Sequence, residues 1–165
     1  MLGRIQRVIE NKGLRCEPNC PLSQTPPPQA LGSALTHPSI TTDYSESLLE
    51  FITPVFDNAK DTLQFMHNLH QYTYQNMGDE LIWPASMHCI INGEESIPIA
   101  QYGYSNLGQL KHAYRHGLWH RYGLTMQAIA GIHYHFSMPD AIWPMLPKEE
   151  KEQKPQTTDG TQSNE

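Results

Sequence analysis

The chain has 165 residues, enough for one domain and too few for two large ones. Apolar residues make up 38% of it and aromatics 9%, which permits a modest core. A net charge of −6 argues against nucleic acid or an anionic membrane as partner, and no apolar run approaches the length of a membrane span.

The N-terminus, MLGRIQRVIENKG, lacks the long apolar stretch and small-residue cleavage site of a secretion signal, so the expected location is the cytoplasm. Arg4 to Leu14 predicts a strand. Cys16 to Gln29 predicts a loop, because it holds Pro18, Pro21 and the run Pro26-Pro27-Pro28, and proline cannot donate to a sheet. Cys16, Cys20 and Cys89 make no disulfide framework and are expected as reduced thiols. Leu48 to Thr53 predicts a second strand, closed by Pro54.

Asp57 is placed to cap a helix running to about Met77, with Gly78 ending it. Ala59, Leu63, Met66 and Leu69 (or His70) fall near helical spacing. Thr73 takes the next position, so Tyr72 or Tyr74 is expected to supply the apolar contact there. Residues 79–104 read as loop and short strand, with Gly93 in a turn. Ser105 predicts the cap of a second helix with Leu107, Leu110, Tyr114, Leu118 and Tyr122 on one face and Gly123 past its end. The pattern then changes to period two. Met126, Ala128, Ala130, Ile132, Tyr134 and Phe136 alternate with a more polar set that includes His133 and His135, which predicts a strand. From Pro147 to Glu165 the chain has no apolar anchor and is expected to be a disordered polar tail after a folded unit at 1–146. Strands separated by helices indicate an α+β or α/β fold.

Glu10, Asp43 and Glu50 lie on or beside strand-like segments, and His133 lies on a later one. Acids on separate strands are suited to surround a hard cation such as Mg²⁺, which prefers oxygen donors. Taken alone, each acid is more often a solvated or salt-bridged surface group, and a lone histidine more often a satisfied one. His133 and His135 also make an HxH pair suited to zinc or nickel, and His112, His116 and His120 follow helical spacing on an exposed helix.

A colinear set of segments resembles the N-terminal part of the bacterial-type glutamate–cysteine ligase family. It comprises Ile5-Gln6-Arg7 with Glu10, Leu14-Arg15, ALGSALTH (30–37), ITTD (40–43), LLEFITPV (48–55), NMGDE (76–80), AQYG (100–103), Tyr114-Arg115 and HYHFSMP (133–139). The resemblance covers roughly residues 4–144. It implies an α+β fold like part of glutamine synthetase, mainly an antiparallel sheet with helices packed on one face and the active site on the other. It implies ATP and Mg²⁺ as cofactors, with glutamate and cysteine as substrates of a reaction through gamma-glutamyl phosphate. By the same resemblance Glu10, Asp43, Glu50 and His133 are Mg²⁺ ligands, and Tyr114 and Arg115 line the amino-acid pocket.

Position 12 departs from the family pattern, which is Glu-x-Glu where this chain has Glu10-Asn11-Lys12. Two unit charges about 4 Å apart repel by roughly 4 kcal/mol at an effective dielectric of about 20, and a dication doubles that. Lys12 is therefore expected to weaken one metal site severely. The resemblance also places the remaining metal ligand and most ATP and substrate contacts of the family after the part matched here, so this chain is expected to be inactive alone. The alternatives are a non-catalytic remnant, a subunit that self-associates or needs a complementing chain, and a small metal- or nucleotide-binding module.

Overall fold

The computed structural model describes residues 5–145, so Arg4 and the predicted polar tail lie outside the described residues. Five strands form one antiparallel sheet: β1 (Gln6–Cys16), β2 (Ile40–Thr42), β3 (Leu48–Ile52), β4 (Leu81–Ile82) and β5 (Gly131–Ser137). β1 is the central strand. β3 pairs along one edge of it, and β5 and β4 share the other edge, β5 beside residues 6–12 and β4 beside Arg15 and Cys16. β2 pairs with the far side of β3. The first strand thus runs two residues further than its sequence predicts, through Arg15 and Cys16; β2 is an addition to the two strands expected before the first helix, and β4 is a short strand within the 79–104 stretch expected to hold one.

Strand side chains alternate, so register decides which residues share a face. One face presents Ile9, Ile40, Leu49 and Phe51, which cluster with Met66 and Met77 of helix α1 (Ala59–Asn76) and its C-cap. Asn58, not Asp57, is the N-cap: its side chain accepts from the Asp61 backbone N–H at 2.8 Å. The buried stripe of α1 is Thr62, Met66 and Thr73, whereas Leu63 is exposed. Tyr72 and Tyr74 are exposed too, so neither replaces Thr73. The threonines can be buried because each hydroxyl donates to a carbonyl one turn back, Thr62 to Asn58 and Thr73 to Leu69, at 2.8 Å in both cases.

The second core gathers Leu14, Cys16, Leu22, Tyr44, Leu48, Cys89, Ile97, Leu124, Ala128 and Ala130. All three cysteines are free. Helix α2 (Asn106–Tyr122) is capped by Ser105 and ends at Gly123 (φ +76°), as its sequence predicts. Its packed face differs from the expected one. Gly108 is buried against the Tyr102 carbonyl, where a Cβ would stand 2.5 Å from the oxygen, and Leu107, Leu110, Tyr114 and Tyr122 are exposed.

The predicted strand at 126–137 forms only from Gly131 onward. Thr125–Ala128 is a 3-10 turn whose Ala128 enters the core. On β5, Ile132, Tyr134 and Phe136 point to the α1 side yet are 71%, 52% and 56% exposed, because α1 lies over β1 and β3. Among the described residues no strand pairs with the outer edge of β5. No helix among the described residues is long and apolar enough to cross a membrane.

Candidate functional site

The face of the sheet opposite α1 carries the polar cluster. Glu10 and Lys12 are two apart on β1 and share this face. Glu50 on β3 is the register partner of Lys12, and His133 on β5 is the register partner of Glu10. On β2, Thr41 pairs with Glu50, so Asp43, two residues on, reaches the same side. Glu10, Asp43, Glu50 and His133 therefore converge, as their strand parity predicts.

What stands at the centre is the Lys12 ammonium. Its Nζ lies 2.9 Å from Glu10 Oε1 and 3.1 Å from Asp43 Oδ2. Burial works against the charge, but the bond to Glu10 and the carboxylate of Asp43 outweigh it and raise the Lys12 pKa. The ammonium is thus held charged, with no lone pair for a metal. His133 Nδ1 lies 3.3 Å from Glu10 Oε1, and His135 Nε2 lies 3.6 Å from Glu10 Oε2.

The two glutamates hold their protons very differently. Burial pushes the Glu50 carboxyl up, and its hydrogen bond to Glu10 and the charges of Asp43 and Glu10 take it to about 7. Burial also raises Glu10, but Lys12, the hydrogen bond with Glu50 and His133 overcome it and bring Glu10 to about 2. The pair shares one proton below neutrality. Between the ordinary value of 4.5 and about 7 the unfolded chain releases the Glu50 proton that the fold keeps, so stability falls as pH rises through that window. Glu10 contributes oppositely: its stabilisation is present above 4.5 and lost as pH falls toward 2. Glu50→Gln is expected to match wild type near pH 5 and to exceed its stability by about 1–2 kcal/mol near pH 8, allowing for solvent around a half-buried carboxyl. Urea unfolding at the two pH values measures this, and an equal effect at both contradicts the shared proton.

The residues assigned to the amino-acid pocket are placed apart. Arg115 donates from Nε to the Asp43 carbonyl at 2.6 Å and from Nη1 to the Lys111 carbonyl at 3.0 Å, with its guanidinium over the Tyr102 ring. Tyr102 in turn donates to the Thr42 carbonyl at 2.8 Å. Arg115 thus secures the turn that delivers Asp43, and the Tyr114 ring is 64% exposed. Sequence reasoning missed this anchoring role, since nothing in the spacing of Tyr102 and Arg115 shows that they meet at Asp43.

The sequence model of the glutamate–cysteine ligase family matches residues 1–164. The chain belongs to the glutamate–cysteine ligase family. It is 56% identical over 142 residues to the glutamate–cysteine ligase of Alcanivorax borkumensis, and 53% identical over 150 residues to that of Saccharophagus degradans. These alignments cover 86% and 91% of this chain but 27% and 28% of the relatives. Among solved structures, it resembles the glutamate–cysteine ligase of Francisella tularensis in complex with AMP. The TM-score is 0.82 at 40% identity, over 86% of this chain and 29% of that one. It also resembles a bifunctional glutathione synthetase from Pasteurella multocida, with TM-score 0.74 at 28% identity, over 87% of this chain and 18% of that one. The chain thus spans little more than a quarter of the ligases it matches, and its α+β sheet is theirs.

Proposed function

We propose that this chain supplies the N-terminal part of an ATP-dependent glutamate–cysteine ligase site, and that alone it does not turn over. Glu10, Asp43, Glu50 and His133 are the residues that would face a divalent ion, and the AMP held by the Francisella relative supports a nucleotide as co-substrate. Glutamate and cysteine follow as substrates from the relatives' activity. The observation that carries the second half of the proposal is Lys12. An ammonium bonded to both Glu10 and Asp43 takes the oxygen donors that Mg²⁺ requires, so the residues present do not fit that ion as they stand. Tyr114 and Arg115 belong to the amino-acid side of the site, Arg115 by holding the Asp43 turn. Free buried thiols at Cys16 and Cys89 suit a reducing cytoplasm.

Incubating the purified chain with ATP, Mg²⁺, glutamate and cysteine is expected to release no phosphate above background. Turnover at ordinary enzyme rates sinks the proposal.

Among the described residues nothing covers the face and outer edge of β5, which favours a second reading, in which the chain docks with a complementing chain or a second copy. Size-exclusion chromatography decides it: a monodisperse monomer at high concentration counts against docking.

A further inference from the structure

We propose that His112 and His116 on α2 form a chelating site for a late first-row transition ion, Cu²⁺ or Ni²⁺, sharing no residue with the cluster on the sheet face. The proposal goes beyond the ligase reading and does not depend on it. The two histidines are four residues apart on α2, one helical turn, and so lie on the same side of it. Their Nε2 atoms are 3.1 Å apart, with the rings edge to face and 4.6 Å between centroids. Two donors each about 2.0–2.1 Å from one ion, at right-angled to tetrahedral positions around it, lie roughly 2.8–3.4 Å from each other. The pair therefore stands at chelating separation without any rearrangement of the helix.

The surroundings prepare His112 as a ligand. Its Nδ1 is 2.9 Å from the Ala100 carbonyl oxygen. A carbonyl only accepts, so Nδ1 carries the proton and donates it, and Nε2 of the neutral ring presents a lone pair toward His116. Ala100 is fully buried and its own N–H donates to the Tyr44 carbonyl at 3.0 Å, so the anchor is fixed. Metal-binding imidazoles commonly have such a backbone partner on the far nitrogen, which orients the ring and raises its basicity. In the free chain His116 donates from Nε2 to His112. Moving that proton to Nδ1 of His116 releases the second lone pair. Both rings are half-buried, which leaves room for water in the remaining positions. The neighbouring cations do not stand in the way as Lys12 does on the sheet: Lys111 and Arg115 lie over the Tyr102 ring, 5.0 and 4.6 Å from its centroid. His120, next in the helical spacing, stacks on Trp119 at 4.9 Å and 21°, so the chelate has two protein donors and not three. Two imidazoles with open positions suit Cu²⁺ and Ni²⁺, which rank highest in affinity for nitrogen donors, whereas Mg²⁺ prefers oxygen.

Calorimetric titration of the whole chain with Ni²⁺, which leaves the free thiols unoxidised, is expected to show a site that His116→Gln weakens at least about tenfold and that His120→Gln leaves unchanged. In the wild-type chain, paramagnetic Ni²⁺ should broaden the NMR signals of the His112 and His116 rings first, which locates the ion even if a variant folds poorly. No binding of Ni²⁺, binding that His116→Gln leaves intact, binding that His120→Gln abolishes, or broadening that begins at His133 and His135 while the α2 rings stay sharp would each overturn the proposal. Phosphate release and Ni²⁺ binding are separate readouts, so failure of one does not mimic failure of the other.

Discussion

Replacing Arg15 with alanine is expected to destabilise the fold by about 3–5 kcal/mol, a large part of the roughly 5–15 kcal/mol that holds a typical domain folded. Arg15 follows the stretch of β1 that carries the cluster, and its side chain is fully buried. Nη1 donates to Glu80 Oε2 at 2.6 Å and to Thr25 Oγ1 at 3.3 Å, and Nη2 donates to the Thr25 carbonyl at 2.5 Å. Glu80 is further held by the hydroxyls of Ser23 and Thr25. Burial opposes its ionisation, but those hydroxyls and Arg15 together keep its carboxyl below the usual range. Removing the guanidinium leaves Glu80 charged and unpaired, with a void beside it. The cost therefore comes from the orphaned partner more than from the lost attraction. Arg15→Met should be nearly as damaging, and the double variant Arg15→Met, Glu80→Met should recover much of the loss. Urea unfolding measures all three. A single-variant loss under about 1 kcal/mol would show that the buried pair does not hold the end of β1 to the Glu80 segment.

Lys12→Glu is expected to reverse the response of the protein to Mg²⁺. Without metal, the substitution removes the one ammonium bonded to Glu10 and Asp43 and adds a carboxylate opposite Glu50. Like charges gathered on one half-buried face should cost about 1–3 kcal/mol at neutral pH and less at high salt. With Mg²⁺ the same face offers oxygen donors and no competing cation. An ion at about a hundred times its dissociation constant stabilises the state it binds by about 2.7 kcal/mol, enough to raise the melting temperature by several degrees. The wild-type melting temperature should not move with millimolar Mg²⁺. A Mg²⁺ response equal in both proteins would mean that Lys12 is not what excludes the ion.

Much of the site was legible because strand geometry is periodic. Parity alone puts Glu10 beside Lys12 and His133 beside His135, and the register of β1 with β5 joins the two pairs. Ser105 and Gly123 bound α2 through local capping chemistry, which needs no tertiary knowledge. What was not legible depends on where distant segments arrive. Hydropathy favours Leu63 over Thr62 on α1, yet a threonine whose hydroxyl bonds back into its own helix loses its polar cost and can be buried. The face of α2 is chosen by Gly108, which admits the Tyr102 carbonyl, and by Arg115, which reaches the Asp43 carbonyl. Both partners lie in loops that carry no periodic signal. Lys12 was readable as an obstacle to a dication. That it is bonded to Asp43 as well as Glu10 depends on β2 pairing with β3, and β2 is only three residues long.

The account rests on an ammonium standing where divalent ions would gather. Crystals of the wild-type chain soaked in Mn²⁺, a hard cation visible by anomalous scattering, test this directly. The expected map has no anomalous peak among Glu10, Asp43 and Glu50 and shows the Lys12 side chain joined to the first two. A peak at bonding distance from those carboxylates, with Lys12 swung away, contradicts it.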